Sequence, residues 1–181
     1  MHEINQKHIE FTDYYEELKD KLFTFLYYRL NFDKSLAEDL MMDITLKAYE
    51  KFESFDLEKG TFKQWIFTIA NNHLKNHWRS LKKQIVSLDL LEEDGVQFVD
   101  EDETDFKNIE NKISRKNILK ILKILKPKET EVIILRYLND LSFKEIAQIT
   151  KQREGAIRTQ LNRALKRFKE HYQKIYPASN E

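Results

Sequence analysis

The chain has 181 residues with 3 Gly, 2 Pro and no Cys, and its formal net charge is zero. This length allows one ordinary domain or two small ones, and the scarcity of helix-breaking residues favours helix nearly throughout. The absence of Cys excludes disulfides and thiolate metal sites and suits a reducing cytosol. No apolar segment resembles a signal peptide or a membrane span, so we expect a cytoplasmic protein without membrane insertion.

The charges are strongly segregated along the chain. Residues 1–83 hold 13 basic and 14 acidic side chains, residues 84–111 hold 1 and 10, and residues 112–181 hold 17 and 7. An acidic segment between two structured parts is typical of a solvated linker, and a basic final third indicates a polyanionic partner. The pattern therefore predicts two helical domains joined by an acidic linker.

In the first half of the chain, apolar residues recur at helical spacing in three segments. The first predicted helix covers residues 11–30 and carries many aromatic side chains, which are typical of a core. A turn follows, and Ser35 can cap a second helix that ends near Phe52. A loop carrying Phe55 separates this helix from a third one, which begins at Thr61.

The second predicted helix has two kinds of surface. One face is apolar and suits packing against the first helix. A separate stripe combines acidic and apolar side chains: Asp39, Met42, Asp43, Leu46 and Glu50. Such a stripe suits docking to a basic partner helix, and a merely solvated acidic edge fits the sequence equally well.

The third predicted helix carries amide and cationic side chains opposite its apolar face. Asn71 and Asn72 lie on this helix, which suits phosphate contact and base stacking in single-stranded nucleic acid. His73 and His77 have a spacing that could hold a metal ion, but their neighbours form a carboxylate-free site, so we expect no metal there. The polar face consists of Gln64, Thr68, Lys75, Arg79 and Lys82.

Beyond the acidic segment, helical spacing resumes over residues 109–125. Pro127 fits the first turn of the following helix, where its missing amide hydrogen costs nothing, and residues 139–140 have the chemistry of a turn. Ser142 and Glu145 form a capping box, which predicts the start of another helix. These helices lead into a final basic segment.

The last predicted helix is amphipathic and basic. A surface helix of this kind is common, but a capped helix directly before it favours a helix-turn-helix that places the last helix in a DNA major groove. Its polar side chains could hydrogen-bond base edges and phosphates. Its apolar face consists of Ile157, Leu161, Ala164, Leu165, Phe168 and Tyr172, and its polar face of Arg158, Thr159, Asn162, Arg163 and Lys166.

Three segments resemble, in family order, the bacterial RNA polymerase sigma factors of the extracytoplasmic-function (ECF) group. The segment AEDLMMDITLKAYEKF (37–52) is similar to the family's core-polymerase-binding helix. The segment FKQWIFTIANNHLKNHWR (62–79) is similar to its promoter-melting helix. The segment LKPKETEVIILRYLNDLSFKEIAQITKQREGAIRTQLNRALKRFKEHY (125–172) resembles its terminal helix-turn-helix.

The resemblance implies an all-α fold of two small helical domains. A region 2-like domain over residues 8–83 would bind core RNA polymerase and melt the minus-10 element. A region 4-like helix-turn-helix domain over residues 108–175 would read the minus-35 element of promoter DNA, and residues 84–107 would form the acidic, flexible linker. Such a protein directs transcription initiation without being an enzyme, needs no cofactor or metal, and can have an anti-sigma factor as a further partner.

The resemblance also implies roles for individual residues. Asp39, Asp43 and Leu46 would dock on the coiled coil of the polymerase's largest subunit. Five residues match the positions that read the minus-35 element: Arg158, Thr159, Asn162, Arg163 and Lys166.

The minus-10 element would be held by residues of the loop and the third helix. Phe55 and Asn72 match positions that hold a base flipped from the minus-10 strand, and stacking on an aromatic ring can offset the cost of extruding it. Lys75 and Arg79 would hold the backbone of the same strand.

The chain departs from the family pattern at two places. Asn76 stands where the family usually has Asp, which puts an ion pair from that position to Arg79 in doubt. Lys151 and Gln152 stand where Gly and an aliphatic residue are usual. Either a residue other than Gly adopts a left-handed conformation there, or the turn differs.

Two functions of other classes remain open on the sequence. A stand-alone helix-turn-helix repressor or activator would dimerise and bind an inverted repeat tightly by itself. A helical interaction module would use its basic face to contact an acidic protein or a membrane. A sigma factor, in contrast, associates with core polymerase and makes it transcribe selectively.

Overall fold

A computed structural model describes the backbone of residues 2–88 and 109–176 and the side chains of residues 8–82 and 117–176. These ranges confirm the predicted all-α fold, and none of their helices is long and apolar enough to cross a membrane. A 3-10 turn at Phe52–Ser54 and a π-helical turn at Ile134–Leu138 accompany the α-helices. The α-helices are α1 (His2–Glu16), α2 (Lys19–Arg29), α3 (Lys34–Lys51), α4 (Phe62–Leu88), α5 (Ile109–Ile124), α6 (Pro127–Ile133), α7 (Phe143–Thr150) and α8 (Glu154–Ile175).

The first domain consists of α1 to α4. Helix α4 begins at Phe62, after Thr61, whose hydroxyl accepts a hydrogen bond from the Gln64 amide at 3.1 Å. Helix α4 continues to Leu88, five residues into the predicted linker, and the rest of that linker lies outside the described residues. Fully buried side chains in this domain include Leu22, Phe25, Leu26, Ala37, Ile44, Ala48, Ile66, Phe67, Ala70 and Leu74.

The prediction of one helix over residues 11–30 is wrong, because α1 ends at Glu16 and α2 begins at Lys19. The apolar spacing continues across the break, so the sequence pattern does not reveal it. The two helices have different neighbours. The Phe11 ring in α1 lies 5.4 Å from the Phe52 ring and 5.9 Å from the Phe62 ring, in edge-to-face contacts. Such aromatic pairs contribute about 0.5–1.5 kcal/mol beyond the area they bury and so stabilise the position of α1.

Asp33, and not the predicted Ser35, caps α3. Its carboxylate accepts a hydrogen bond from the Leu36 amide at 2.9 Å, and its backbone is extended, as an N-cap requires. Asn31 and Phe32, directly before it, have positive φ values of 58° and 68°. The turn before α3 is therefore shorter than predicted, and the N-cap lies two residues earlier, at Asp33 instead of Ser35.

The second domain consists of α5 to α8. Pro127 occupies the first turn of α6, as predicted. The predicted capping box is also confirmed, since the Ser142 hydroxyl accepts from the Glu145 amide at 3.2 Å and the Ser142 amide donates to the Glu145 carboxylate at 2.8 Å. The fully buried side chains here include Ile121, Ile134, Leu135, Leu141, Ile146, Ile149, Ile157 and Ala164.

The turn between α7 and α8 depends on a left-handed lysine. Lys151 has φ 59° and ψ 44°. The Gln152 amide donates to the Ala147 carbonyl at 2.9 Å and the Lys151 amide to the Gln148 carbonyl at 3.3 Å. This pair of bonds is the Schellman motif, which satisfies the last carbonyls of a helix. Of the two possibilities left open by the sequence, the structure shows the first.

The two domains pack against each other. Helix α7 lies along α4, while α6 and the π-helical turn contact α2. One buried hydrogen bond joins the domains directly, from the Asn71 side-chain amide to the Ile149 carbonyl at 3.1 Å. The helix-turn-helix is therefore held against the first domain by its own first helix.

Replacing Lys151 by Gly should stabilise the second domain. A left-handed conformation costs an L-residue about 1–2 kcal/mol, whereas the added freedom of Gly in the unfolded chain costs about 0.4–1 kcal/mol. The net gain for Lys151→Gly is then about 0.5–1 kcal/mol, measurable as a higher Tm in thermal unfolding. Gln152→Gly is the matched control and should lower the Tm, because Gln152 is not among the positive-φ residues. A lower Tm for Lys151→Gly would contradict the assigned backbone conformation.

Candidate nucleic-acid interface

Helix α8 separates a buried face from an exposed polar one. Ile157, Leu161 and Ala164 are buried, at helical spacing, and hold the helix against the rest of its domain. The predicted polar face points to solvent, because residues one or two positions away from a buried one are turned from it by about 100° or 200° around the helix. Its exposed members are Arg158, Thr159, Asn162, Arg163 and Lys166.

Arg158 differs from the other residues of this face, because its guanidinium is already engaged. It pairs with Glu154 at 2.6 Å and lies 4.2 Å from the centre of the Phe143 ring. These contacts fix it beside the start of α7. An exposed ion pair of this kind is weak, so an incoming phosphate could replace the carboxylate at small cost.

A cluster of aromatic rings supports the loop before α4. Phe55 is half-buried, with its ring centre 5.3 Å from Trp65, 5.4 Å from Phe62 and 6.0 Å from Tyr14. Trp65 is also half-buried. The cluster presents a rigid aromatic edge next to the polar side of α4.

Polar residues continue from this aromatic edge along α4. Trp65, Asn72 and Arg79 are spaced by seven residues, which is close to two helical turns, so they lie on one line about 10 Å apart. Lys75 lies beside the same line. Asn72 and Lys75 are half-buried, and Arg79 is exposed. The helix thus places an aromatic group, an amide and two cations in the order that an extended strand could contact.

Arg79 has the neutral amide of Asn76 as its local partner, where the family's usual Asp would form an ion pair. Arg79 donates a hydrogen bond to the Asn76 side-chain oxygen at 3.2 Å. Because Asn76 carries no charge, the full positive charge of Arg79 remains available to a phosphate.

The stripe on α3 is exposed as predicted. Asp39 is exposed, and Met42 and Leu46 leave 74% and 58% of their surface in water. Large apolar side chains this exposed, on a helix whose other face is buried, suit a docking surface. Asp43 also belongs to the stripe but approaches His73 on α4 at 3.6 Å.

His73 occupies a structural position between α3 and α4. Its Nδ1 lies 2.9 Å from the Lys47 ammonium and its Nε2 faces Asp43. Burial, with the Lys47 charge beside it, lowers the pKa of His73 below its ordinary value, and Asp43 opposes that shift only partly. A neutral ring then bridges the ammonium and the carboxylate.

Asn71 is the residue whose role the sequence analysis missed. The sequence suggests a nucleic-acid contact for Asn71 and Asn72 alike, but Asn71 is fully buried and donates to the Ile149 carbonyl. Phe67 and Leu74, one turn to either side, are fully buried as well. Because Phe67 and Leu74 lie four positions before and three positions after Asn71, the sequence could have indicated that Asn71 lies on a packed face.

Comparison with known proteins identifies the family of the chain. Residues 14–84 match the family model described as Sigma-70 region 2, and residues 115–168 match Sigma-70, region 4. The chain is 30% identical over 141 residues to the ECF RNA polymerase sigma factor SigM of Bacillus subtilis, covering 77% of this chain and 82% of SigM. It is 29% identical over 154 residues to the ECF RNA polymerase sigma factor BldN of Streptomyces coelicolor. That match covers 84% of this chain and only 56% of BldN.

A solved structure shows the same fold. It is the sigma factor RpoE in complex with the anti-sigma factor NepR from Bartonella quintana, with a TM-score of 0.66 and 24% identity. The similarity covers 89% of this chain and 97% of that one. Fold, family matches and relatives agree, and the chain therefore belongs to the ECF group of the RNA polymerase sigma factors, which direct promoter recognition in transcription initiation.

Proposed function

We propose that this sigma factor acts through three separate surfaces: the α3 stripe binds core polymerase, and the line along α4 and the polar face of α8 bind promoter DNA. The observation that carries this proposal is that each surface is fully or partly exposed on a helix whose opposite face is buried. Such helices can offer side chains to a partner without losing their own packing. The protein acts by binding, in the cytoplasm, and carries out no bond chemistry itself.

The α3 stripe is the docking surface for core RNA polymerase. Met42 and Leu46 supply exposed apolar area, and Asp39 and Asp43 flank them with negative charge. A partner with an apolar seam and basic edges fits this pattern, as a coiled coil of the polymerase's largest subunit would. We infer that apolar burial supplies most of the affinity and that the carboxylates fix the orientation.

The line along α4 holds the single strand of the melted minus-10 element. Phe55 and Trp65 offer ring faces to an extruded base, and Asn72 can hydrogen-bond its edge. Lys75 and Arg79 follow at the spacing of the next phosphates. Stacking on an aromatic ring is worth about 1–3 kcal/mol per base, comparable to the cost of unstacking it.

The polar face of α8 reads the minus-35 element in the major groove. Arg163 and Asn162 can contact base edges, and Lys166 and Arg158 can contact phosphates. The left-handed turn at Lys151 joins the two helices of the motif. We also propose an anti-sigma factor as a further partner, since RpoE in the similar structure is bound to one.

Arg163→Ala should weaken binding to minus-35 duplex DNA and relax its sequence preference. A base contact is worth about 1–3 kcal/mol, so the affinity for the preferred sequence should fall by about tenfold or more. Binding is measured by fluorescence anisotropy on holoenzyme with preferred and altered duplexes. Lys169→Ala, an exposed cation on the same helix, is the control. An equal loss of affinity for the preferred and the altered duplexes would show instead that Arg163 contacts a phosphate.

Asn72→Ala should impair strand opening while leaving minus-35 duplex binding intact, because the amide contacts only an extruded base. Permanganate reactivity of the minus-10 thymines measures opening, and anisotropy measures duplex binding. Arg163→Ala should show the opposite pattern, in which minus-35 duplex binding is the step that is impaired. If both variants lost the same step to the same extent, the division between the two surfaces would be wrong.

Leu46→Glu should reduce the affinity for core polymerase. A buried apolar anchor is worth about 2 kcal/mol or more, which corresponds to roughly thirtyfold. Leu57→Glu is the matched control, because Leu57 is equally exposed, at 65%, and lies off the stripe. Titration of core enzyme with labelled protein measures the difference. Equal affinities for the two variants would refute the docking role of α3.

A further inference from the structure

The α3 stripe borders a histidine that belongs to the neighbouring helix. Asp43 and Lys47 lie about one turn apart on α3, and the ring of His73 on α4 reaches both of them. Its Nδ1 lies 2.9 Å from the Lys47 ammonium, and its Nε2 lies 3.6 Å from the Asp43 carboxylate. One ring therefore contacts a carboxylate of the stripe and a cation of the same helix.

The packing of α4 fixes the position of this ring. Ala70 and Leu74, three positions before His73 and one position after it, are fully buried. The His73 side chain is only 14% exposed, whereas the Asp43 side chain is 64% exposed. A carboxylate this exposed has several rotamers available in solvent. The imidazole is thus a rigid partner that can hold the Asp43 carboxylate in one direction.

The contacts of the ring require a neutral imidazole with its proton on Nε2. A Lys ammonium has donors only, so Nδ1 accepts the hydrogen bond from Lys47. The single ring proton then belongs to Nε2, which faces Asp43. A second proton, on Nδ1, would abolish that acceptor and place two positive groups 2.9 Å apart.

The surroundings of the ring favour this neutral form. Burial lowers the pKa of His73 most, the charges of Lys47 and His77 lower it further, and Asp43 opposes the shift. Lys47 and Asp43 act from α3, and His77 acts from the next turn of α4. Because the ordinary pKa is 6.5 and the shift is downward, the ring is uncharged at about pH 7 and gains its charge only in the acid range.

The charge on the ring decides what a partner of the stripe meets. Beside a neutral ring, Asp43 keeps its full negative charge for the partner, and the Lys47 ammonium is held against α4. A charged ring would compensate Asp43 within the protein and repel Lys47. Both changes would make the stripe less negative, which disfavours a partner with basic edges.

We propose that His73 is a positioning residue for the docking of core RNA polymerase. It fixes the direction of the Asp43 carboxylate beside Met42 and Leu46, and it keeps the Lys47 ammonium away from the stripe. Protonation of the ring weakens docking. This inference deepens the proposed function and rests on it, because the direction of Asp43 matters only if the α3 stripe binds the polymerase.

Titration of core polymerase with the fluorescently labelled full chain measures the contribution of His73. His73→Leu keeps a side chain of similar size between the helices but removes both ring nitrogens. Ordering one side chain on binding changes an affinity by about threefold to tenfold, so His73→Leu should weaken docking by about that factor at neutral pH.

Two further variants complete this comparison. His73→Gln should retain the affinity, because one amide can accept a hydrogen bond from Lys47 and donate another to Asp43. His8→Gln, at an exposed position of the same domain, is the matched control and should bind like the unsubstituted chain. Circular dichroism establishes that each variant is folded. If His73→Leu lost its helical signal, the pH profile of His73→Gln would decide.

The pH profile separates positioning from simple packing. Between about pH 8 and about pH 5.5, the affinity of the unsubstituted chain should fall more than that of His73→Gln, because only the histidine gains a charge. The polymerase titrates in both measurements, so the ratio of the two affinities reports His73 alone. In NMR spectra of the free chain, the His73 ring should show the Nε2–H tautomer and a pKa below 6.5.

A cycle of double substitutions tests whether His73 acts through Asp43. Asp43→Asn should weaken docking by itself, and His73→Leu should add little to that loss when the two are combined. Equal losses from His73→Leu with and without Asp43→Asn would overturn the inference. So would an unchanged affinity of a folded His73→Leu chain, or identical pH profiles for His73→Gln and the unsubstituted chain.

Failure of the proposed function would give a different result. If Asp43→Asn left the affinity for core polymerase unchanged, the docking role of the carboxylate would be refuted, and this inference with it. If Asp43→Asn weakened docking while the His73 variants did not, the docking role would stand and only the role of His73 would be wrong.

Discussion

Helix α4 imposes the main constraint on this structure, because one helix must pack on three sides and still expose a polar line. Ile66 and Ala70 pack into the core of the first domain, and Asn71 contacts α7. Asn72 and Arg79 remain accessible to a partner. Neighbouring residues of a helix differ in direction by about 100°, so adjacent asparagines can serve opposite purposes. The proposed promoter surface and the interdomain contact thus lie on the same helix.

Much of the fold follows from local chemistry that the sequence displays. Pro127 at a helix start, the reciprocal bonds of Ser142 and Glu145, and the apolar spacing of α8 were predictable because each depends on residues a few positions apart. The polar face of α8 was predictable for the same reason. A periodic pattern that fixes the buried side of a helix also fixes the side that is left for a ligand.

The features that sequence reasoning missed depend on distant partners. The break between α1 and α2 leaves the apolar spacing intact, and the rings that Phe11 of α1 contacts, Phe52 and Phe62, lie about 40 to 50 positions further along the chain. The burial of Asn71 depends on the Ile149 carbonyl, 78 positions away. Periodicity measures the faces of one helix and cannot identify which other helix will cover them.

The π-helical turn at Ile134–Leu138 has a consequence for evolution by insertion and deletion. There the Asn139 amide bonds to the Ile134 carbonyl, so the turn holds one residue more than an α-helical turn. The extra residue rotates everything after it by about 100° and brings Asp140 to the side of Lys21. A relative that lacks a single amino acid at this π-helical turn would keep its helix-turn-helix. Its counterpart of Asp140 would no longer lie beside its counterpart of Lys21. Gain or loss of one codon at this turn would thereby change which side chains of the second domain face the first domain.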